Sequence, residues 1–358
     1  MCLNHKINRQ DGFSMIELMI SMATMTIITG AAFALIGSSI KFSSATYQLI
    51  DTEQGLRTAH EVINRDLTTA GDGLKGIGLI QVPKGFVQNY VTLTPVVEPP
   101  TSSYVNLALV NSDDNIPANT AIPQASPAAN LLPGCDRITI LTEDTGFNGG
   151  IGSISLPANR ITIASPNTTL QLTATDIGKF QANEVYAIVS QNSAAFGVVS
   201  NVNSSTNTVV MTNGDTYGLN QTGSAAPIYV VTSNGTQPAS IVRLQIIQYF
   251  VNTNNLLIRR VFGVKGSTFV DSVIAEHITN LQFRYMLDLV DANGFVPQPV
   301  RELATSQQQT AVREVETTIA VETLRAVSAI TANNNTGKQV ISSTTATSVR
   351  NLQFRQAL

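Results

Sequence analysis

The stretch Phe13–Ile40, FSMIELMISMATMTIITGAAFALIGSSI, constrains this chain more than any other, because Glu17 is its only charge. A helix of that length rises roughly 40 Å, enough to cross a hydrocarbon core of about 30 Å. Residues 1–12 before it are short and polar, with Lys6 and Arg9 as the bases. Basic residues ahead of a span hold the N-terminus in the cytoplasm and send the bulk of the chain out. A secretory signal peptide has a shorter apolar core followed by a small-residue cleavage site. Here the run is too long and no A-x-A site marks its end. A plain membrane anchor accounts for the length but not for Glu17. A carboxylate in the membrane half of a helix costs at least ~2.5 kcal/mol, so it marks a function with a partner.

The run Gly12-Phe13-Ser14-Met15-Ile16-Glu17-Leu18 resembles the prepilin motif of type IV pilins and type II secretion pseudopilins. The resemblance implies cleavage after the glycine by a membrane aspartyl peptidase, which also N-methylates the new terminal residue. Gly12 is then the last leader residue, Phe13 the first mature and methylated residue, and Glu17 the fifth mature residue. The physics agrees. Cleavage creates an ammonium in a membrane setting, and Glu17 of a neighbouring subunit neutralises it. Each charge is costly alone in lipid and much less so as a pair. Such a pair also sets the axial register between subunits. Gly30 and Gly37 lie inside the span, where each costs roughly 0.5–1 kcal/mol relative to Ala. Two readings stand for them: close helix packing through small residues, or local unwinding in an assembled filament.

No proline occurs before residue 83, and the helical pattern continues past Lys41. Phe42, Leu49, Leu56, Ile63 and Ala70 recur every seven residues, with Ala45, Ala59 and Leu67 beside them. Gln48, Asp51, Arg57, Glu61 and Asn64 take the other side. The spacing predicts one apolar stripe packed on a sheet. Gly71-Asp72-Gly73 reads as the helix stop, so the helix is predicted over 14–71, about 85 Å long. A stem bearing a globular head at its outer half is the expected form. Gly71-Asp72-Gly73-Leu74-Lys75-Gly76 fits G-x-G-x-x-G, but a dinucleotide site needs a strand before it and a helix after it. Here a helix precedes and a proline-bearing loop follows, so nucleotide binding is rejected.

Charged residues make up 13% of the chain, about half the usual share of a soluble domain. Trp is absent, Ser, Thr and Asn abound, and the net charge is −3. This suits a β-rich, extracytoplasmic surface and provides no basic face for nucleic acid. Residues 74–134 carry eight of the fourteen prolines and no Lys or Arg after Lys84. They read as loop with short strands at Phe86–Thr94 and Tyr104–Val110. Beyond Asp136, strands are predicted at Arg137–Thr142, Arg160–Ile163, Glu184–Ser190, Gly197–Asn201, Thr208–Thr212, Ile228–Val231 and Ile241–Val251. Asn252–Asn255 is a turn into Leu256–Val264. Ser267–Val290 is mixed, with a short helix at Ile274, Ile278 and Leu281 and strand alternation over Leu281–Leu287. Val315–Leu324 is a half-buried strand.

The second half also resembles PilW-type minor pilins. The matching runs are Gln248–Val251, Leu257–Arg260, Ile278–Tyr285, the acidic turn Asp288–Gly294, the strand Val315–Leu324 and the ending Ser348–Leu352. J-type pseudopilins of type II secretion share similar features, and residues 85–235 match neither.

Other chemistry finds little support. Of Cys2 and Cys135, only Cys135 survives cleavage, which leaves no intramolecular disulfide; a small buried residue near a strand start is the better reading. His5, His60 and His277 show no metal-ligand spacing and no catalytic arrangement, and His60 reads as a solvated helix residue. Asp288, Asp291, Asn293 and Gly294 fail the EF-hand pattern, since its first and twelfth positions would be Leu289 and Val300. A turn between strands is preferred there, with calcium in another loop geometry left open. Asp113-Asp114-Asn115 reads as a solvated loop tip. No catalytic residue, cofactor or metal is expected.

The reading is an α+β, pilin-like chain. It comprises a leader (1–12), a transmembrane and polymerisation segment (13–40), an extramembrane amphipathic helix (41–73), a proline-rich region (74–134) and a β-rich periplasmic head (135–358). The resemblance implies a minor pilin that aids pilus initiation or tip assembly. Its partners would be prepilin peptidase, other major and minor pilins, the inner-membrane assembly machinery and membrane lipid. A type II secretion minor pseudopilin is the alternative, and a single-pass anchored periplasmic binding protein or enzyme is the rival of another class.

Overall fold

The computed structural model describes residues 14–74, 77, 79–93, 103–122, 130–264, 266–289, 299–326 and 337–349. Its first element is a single helix, α1 (Met15–Thr68), about 80 Å long. With no proline inside it, no backbone donor is lost from the helix interior, and the helix is continuous through Gly30 and Gly37. It ends where Gly71 adopts a left-handed φ of 76° and gives its N–H to the Leu141 carbonyl at 2.7 Å. Gly73, at φ 69°, has no room for a side chain: a Cβ would sit 1.5 Å from a Glu143 carboxylate oxygen. The stop is therefore set by backbone conformation and by packing together.

The strands are, in chain order, β1 (Leu79–Pro83), β2 (Tyr104–Asn106), β3 (Val110–Asp113), β4 (Arg137–Glu143), β5 (Ser153–Leu156) and β6 (Ile161–Ala164). They continue with β7 (Asn167–Gln171), β8 (Val185–Ser190), β9 (Ser193–Val198), β10 (Asn201–Asn203), β11 (Thr208–Thr212) and β12 (Ala239–Val251). The last are β13 (Leu257–Val264), β14 (Ser267–Ala275), β15 (Ile278–Leu287), β16 (Val312–Glu322) and β17 (Val340–Ser348). Three sheets result. The largest runs β14-β13-β12-β8-β9-β1-β2, with β4 and β5 also on the long β12 and β3 beside β4. A second runs β10-β11-β7-β6 and a third β15-β16-β17. Pairing is antiparallel except between β1 and β9. The predicted α+β architecture, a long apolar helix followed by an antiparallel β-rich region, is what the chain adopts.

By packing, the described residues form two units. One comprises those up to Asp51 together with Thr323–Val340, and the other Thr52–Glu322 with Ile341 onward. The core lies in the second unit. There Leu56, Ala59, Ile63, Leu67 and Ala70 of the helix meet Ile138 and Ile140 of β4, Ile247 and Tyr249 of β12, and Leu281 and Phe283 of β15. A smaller cluster joins Phe147, Phe180 and Tyr186 to the second sheet.

Several sequence expectations change. Phe42 is 60% exposed, so the buried stripe starts at Ala45. Phe86–Thr94 is not a strand: Lys84–Phe86 is helical and Val87–Val91 forms a wider π turn. Pro227–Val231 is a helical turn rather than a strand, with Pro227 at its first position, where a missing N–H costs nothing. Tyr104–Val110 divides into β2 and β3, and Gly197–Asn201 into β9 and β10. The short helix expected near Ile274–Leu281 is absent, because β14 and β15 meet at His277, which takes a φ of 59°. Asn252–Asn255 is the hairpin turn as expected. The Asn252 side chain accepts from the N–H groups of Asn254 and Leu256, both at 3.0 Å.

Candidate functional site

The segment richest in functional signal is the N-terminal half of α1. Gly12 and Phe13 lie outside the described residues. From Ser14 the chain enters the helix: Ser14 C=O accepts from Leu18 N–H at 3.2 Å, and the Ser14 N–H donates to Glu17 Oε2 at 3.1 Å. Glu17 thus plays the third-position role of a capping box, satisfying a donor that the helix start leaves open. Its carboxylate stands in the first turn, where the helix dipole favours an anion.

Beyond it the helix is apolar all round and uncovered. Met15, Ile16, Met19, Met25, Ile27, Phe33 and Leu35 are each at least 66% exposed, and an 18-residue window reaches a mean hydropathy of 1.9. A helix with an unburied apolar surface on every side is a membrane span by physics. Its hydroxyls fit that setting. Ser21, Thr24, Thr26 and Ser38 each donate to a carbonyl three or four residues back, at 2.8–3.0 Å, so none needs water. Side chains added at Gly30 or Gly37 would meet nothing within 4 Å.

In the second unit, polar groups cluster as ion pairs within the packing. Asp66, in the last turn of α1, accepts from Tyr249 Oη and from Arg259 Nε, each at 2.6 Å. This ties the helix end to β12 and β13. The sequence carried no sign of it, since Asp66 is 183 residues from Tyr249 and 193 from Arg259. Asp113 is not a solvated loop tip. It is buried on β3, pairs with Arg137 Nε at 2.7 Å, and accepts from Thr92 Oγ1 and Leu93 N–H at 2.7 Å. His60 is likewise not solvated: it is 6% exposed, with Nδ1 beside Thr345 Oγ1 at 2.9 Å. Burial lowers its pKa, against a hydrogen bond to the Ser343 backbone that raises it.

Cys135 is buried just before β4, as expected, and burial pushes its thiol up to about 11, which keeps it unreactive. Beside it, burial pushes Asp136 up to about 6, while the N–H groups of Asn115 and Phe283 pull it down. In the acidic turn Asp288 pairs with Arg313, and Asp291, Asn293 and Gly294 lie outside the described residues. No group of three or more His, Cys, Asp or Glu placed to hold a metal occurs among the described residues.

Residues 7–33 match the family described as prokaryotic N-terminal methylation motif. Comparison with curated proteins and with solved structures finds no match. The motif, with the apolar helix that follows it, supports the type IV pilin and pseudopilin superfamily. It fits a single-pass inner-membrane anchor and points to a structural rather than a catalytic protein.

Proposed function

We propose that this chain is a minor type IV pilin. In this reading prepilin peptidase cuts between Gly12 and Phe13 and methylates the Phe13 nitrogen. The mature chain stands in the inner membrane with its head in the periplasm. It then enters a filament with major and minor pilins through the inner-membrane assembly machinery.

The observation that carries this is Glu17. It is the only charge between Phe13 and Ile40, the part of α1 whose apolar surface is otherwise open on every side. Among the described residues it has a single backbone donor, which leaves most of its acceptor capacity unused there. A neighbouring Phe13 ammonium supplies both the missing donors and the missing charge. The minor role rests on the size of the head, which is easier to place at a tip than along a close-packed shaft.

Intact mass spectrometry of the chain, expressed with and without prepilin peptidase, tests the reading. Loss of residues 1–12 and gain of one methyl group are expected only with the peptidase. A leader that persists in both samples would overturn it.

A further inference from the structure

The outer end of the apolar run carries a second feature. At the turn of α1 after Ile40, the segment Thr323–Ala326 lies against the helix, with Arg325 N–H donating to Gln48 Oε1 at 3.2 Å. The base of this loop is fixed: Thr323 N–H bonds Gln339 C=O at 2.9 Å, Gln339 N–H bonds Thr323 Oγ1 at 3.1 Å, and Thr323 Oγ1 donates to the Arg325 carbonyl at 2.9 Å. A cleft of about 290 Å³ opens between loop and helix, lined by Ile40, Lys41, Ser44, Ala45, Gln48, Arg325 and Ala326. Its charged residues are Lys41 and Arg325, and neither has an acidic partner among the described residues. Ile40 in its lining and Leu324 next to Arg325 are 63% and 57% exposed.

The position of the cleft decides what it meets. Lys41 follows the apolar run directly, and a bilayer with its head groups is about 40–45 Å thick, close to the rise of the run. Two cations without an acidic partner among the described residues, a hydroxyl and exposed aliphatic side chains at that depth match the interfacial zone, where such side chains anchor a protein. A free anion would leave Ile40 and Leu324 in water, whereas a phospholipid covers them with glycerol and acyl carbons. We propose that the cleft of Lys41, Ser44 and Arg325 holds the phosphodiester of an outer-leaflet phospholipid, fixing the depth at which the subunit waits in the membrane. This rests on residues 13–40 spanning the bilayer.

The test uses the full chain and a Lys41→Gln/Arg325→Gln variant, with vesicles of phosphatidylethanolamine and phosphatidylglycerol. Flotation reports insertion, and native mass spectrometry after detergent extraction reports retained phospholipid. Both proteins should float. The parent should keep one phospholipid per chain, undisplaced by millimolar inorganic phosphate, and the variant should keep roughly tenfold less. Equal retention in two floating proteins would overturn the lipid site, and so would displacement by inorganic phosphate. Failure of the parent to float would instead overturn the membrane span, and the site with it.

Discussion

A single carboxylate separates this helix from a generic anchor. Among the described residues Glu17 meets one N–H, and the membrane penalises a charge that finds no better partner. Replacing it with Ala leaves the cleavage bond untouched. Glu17→Ala is therefore expected to be processed normally yet to fall more than about tenfold in the sheared filament fraction, read by immunoblot beside mass spectrometry of the membrane pool. Normal incorporation would remove Glu17 from assembly.

Asp136 makes a different prediction. Its folded pKa of about 6 stands above the model-peptide value of 3.8, so the fold holds its proton more tightly than the unfolded chain does. The stability this contributes is full below about pH 4 and is lost as pH rises through 6, a difference of roughly 2–3 kcal/mol. Asp136→Asn should flatten the pH 4–6 slope of the urea midpoint relative to the parent. It should also destabilise throughout, because an amide accepts from Asn115 or Phe283 but turns a donor toward the other. An unchanged slope would show that Asp136 ionises as freely in the fold as outside it.

Among the elements, α1 is held to the sheet by its apolar stripe and by the contacts of Asp66 with Tyr249 and Arg259. Asp66→Ala strands a tyrosine hydroxyl and a guanidinium that is 19% exposed. The expected loss is about 2–4 kcal/mol in denaturant unfolding. Asp66→Asn, which still accepts one bond, should lose about half as much. Equal, negligible losses would mean that the stripe alone seats the helix.

These elements also mark how far the sequence could be read. Long periodic segments were legible: the continuous helix, β4, β11, β12, β13 and β16, each with a period that packing then respects. Short apolar runs were not. Ile228–Val231 is rich in β-branched residues and looks like a strand, yet a proline at its first helical position and burial of Ile228 and Val231 fold it as a turn of helix. His60 and Asp113 were misplaced because their burial comes from partners far along the chain: β17 brings Thr345 to His60, and β4 brings Arg137 to Asp113. At the site itself, Glu17 stood out through its membrane cost and its place in the Gly12–Leu18 motif. The Lys41–Arg325 pair did not, since 284 residues separate its members in the sequence.

At the scale of the whole molecule, exposed apolar surface is distributed very unevenly. Of 21 large apolar side chains that stand exposed among the described residues, thirteen fall between Met15 and Ile40. The core, by contrast, draws on the helix only from Leu56 onward. Removing residues 1–40 therefore takes away the surface that needs lipid and none of the surface that builds the core. It also leaves the charge unchanged, because Lys6 and Arg9 cancel Asp11 and Glu17, so the net value stays at −3. A chain beginning at Lys41 should be soluble without detergent, elute as one species in size exclusion, and unfold in a single cooperative transition by circular dichroism. The parent should aggregate under the same conditions. Aggregation of the shortened chain would locate a second lipid- or partner-seeking surface outside the span, with Phe42, Tyr47, Ile50 and Leu324 the first residues to substitute.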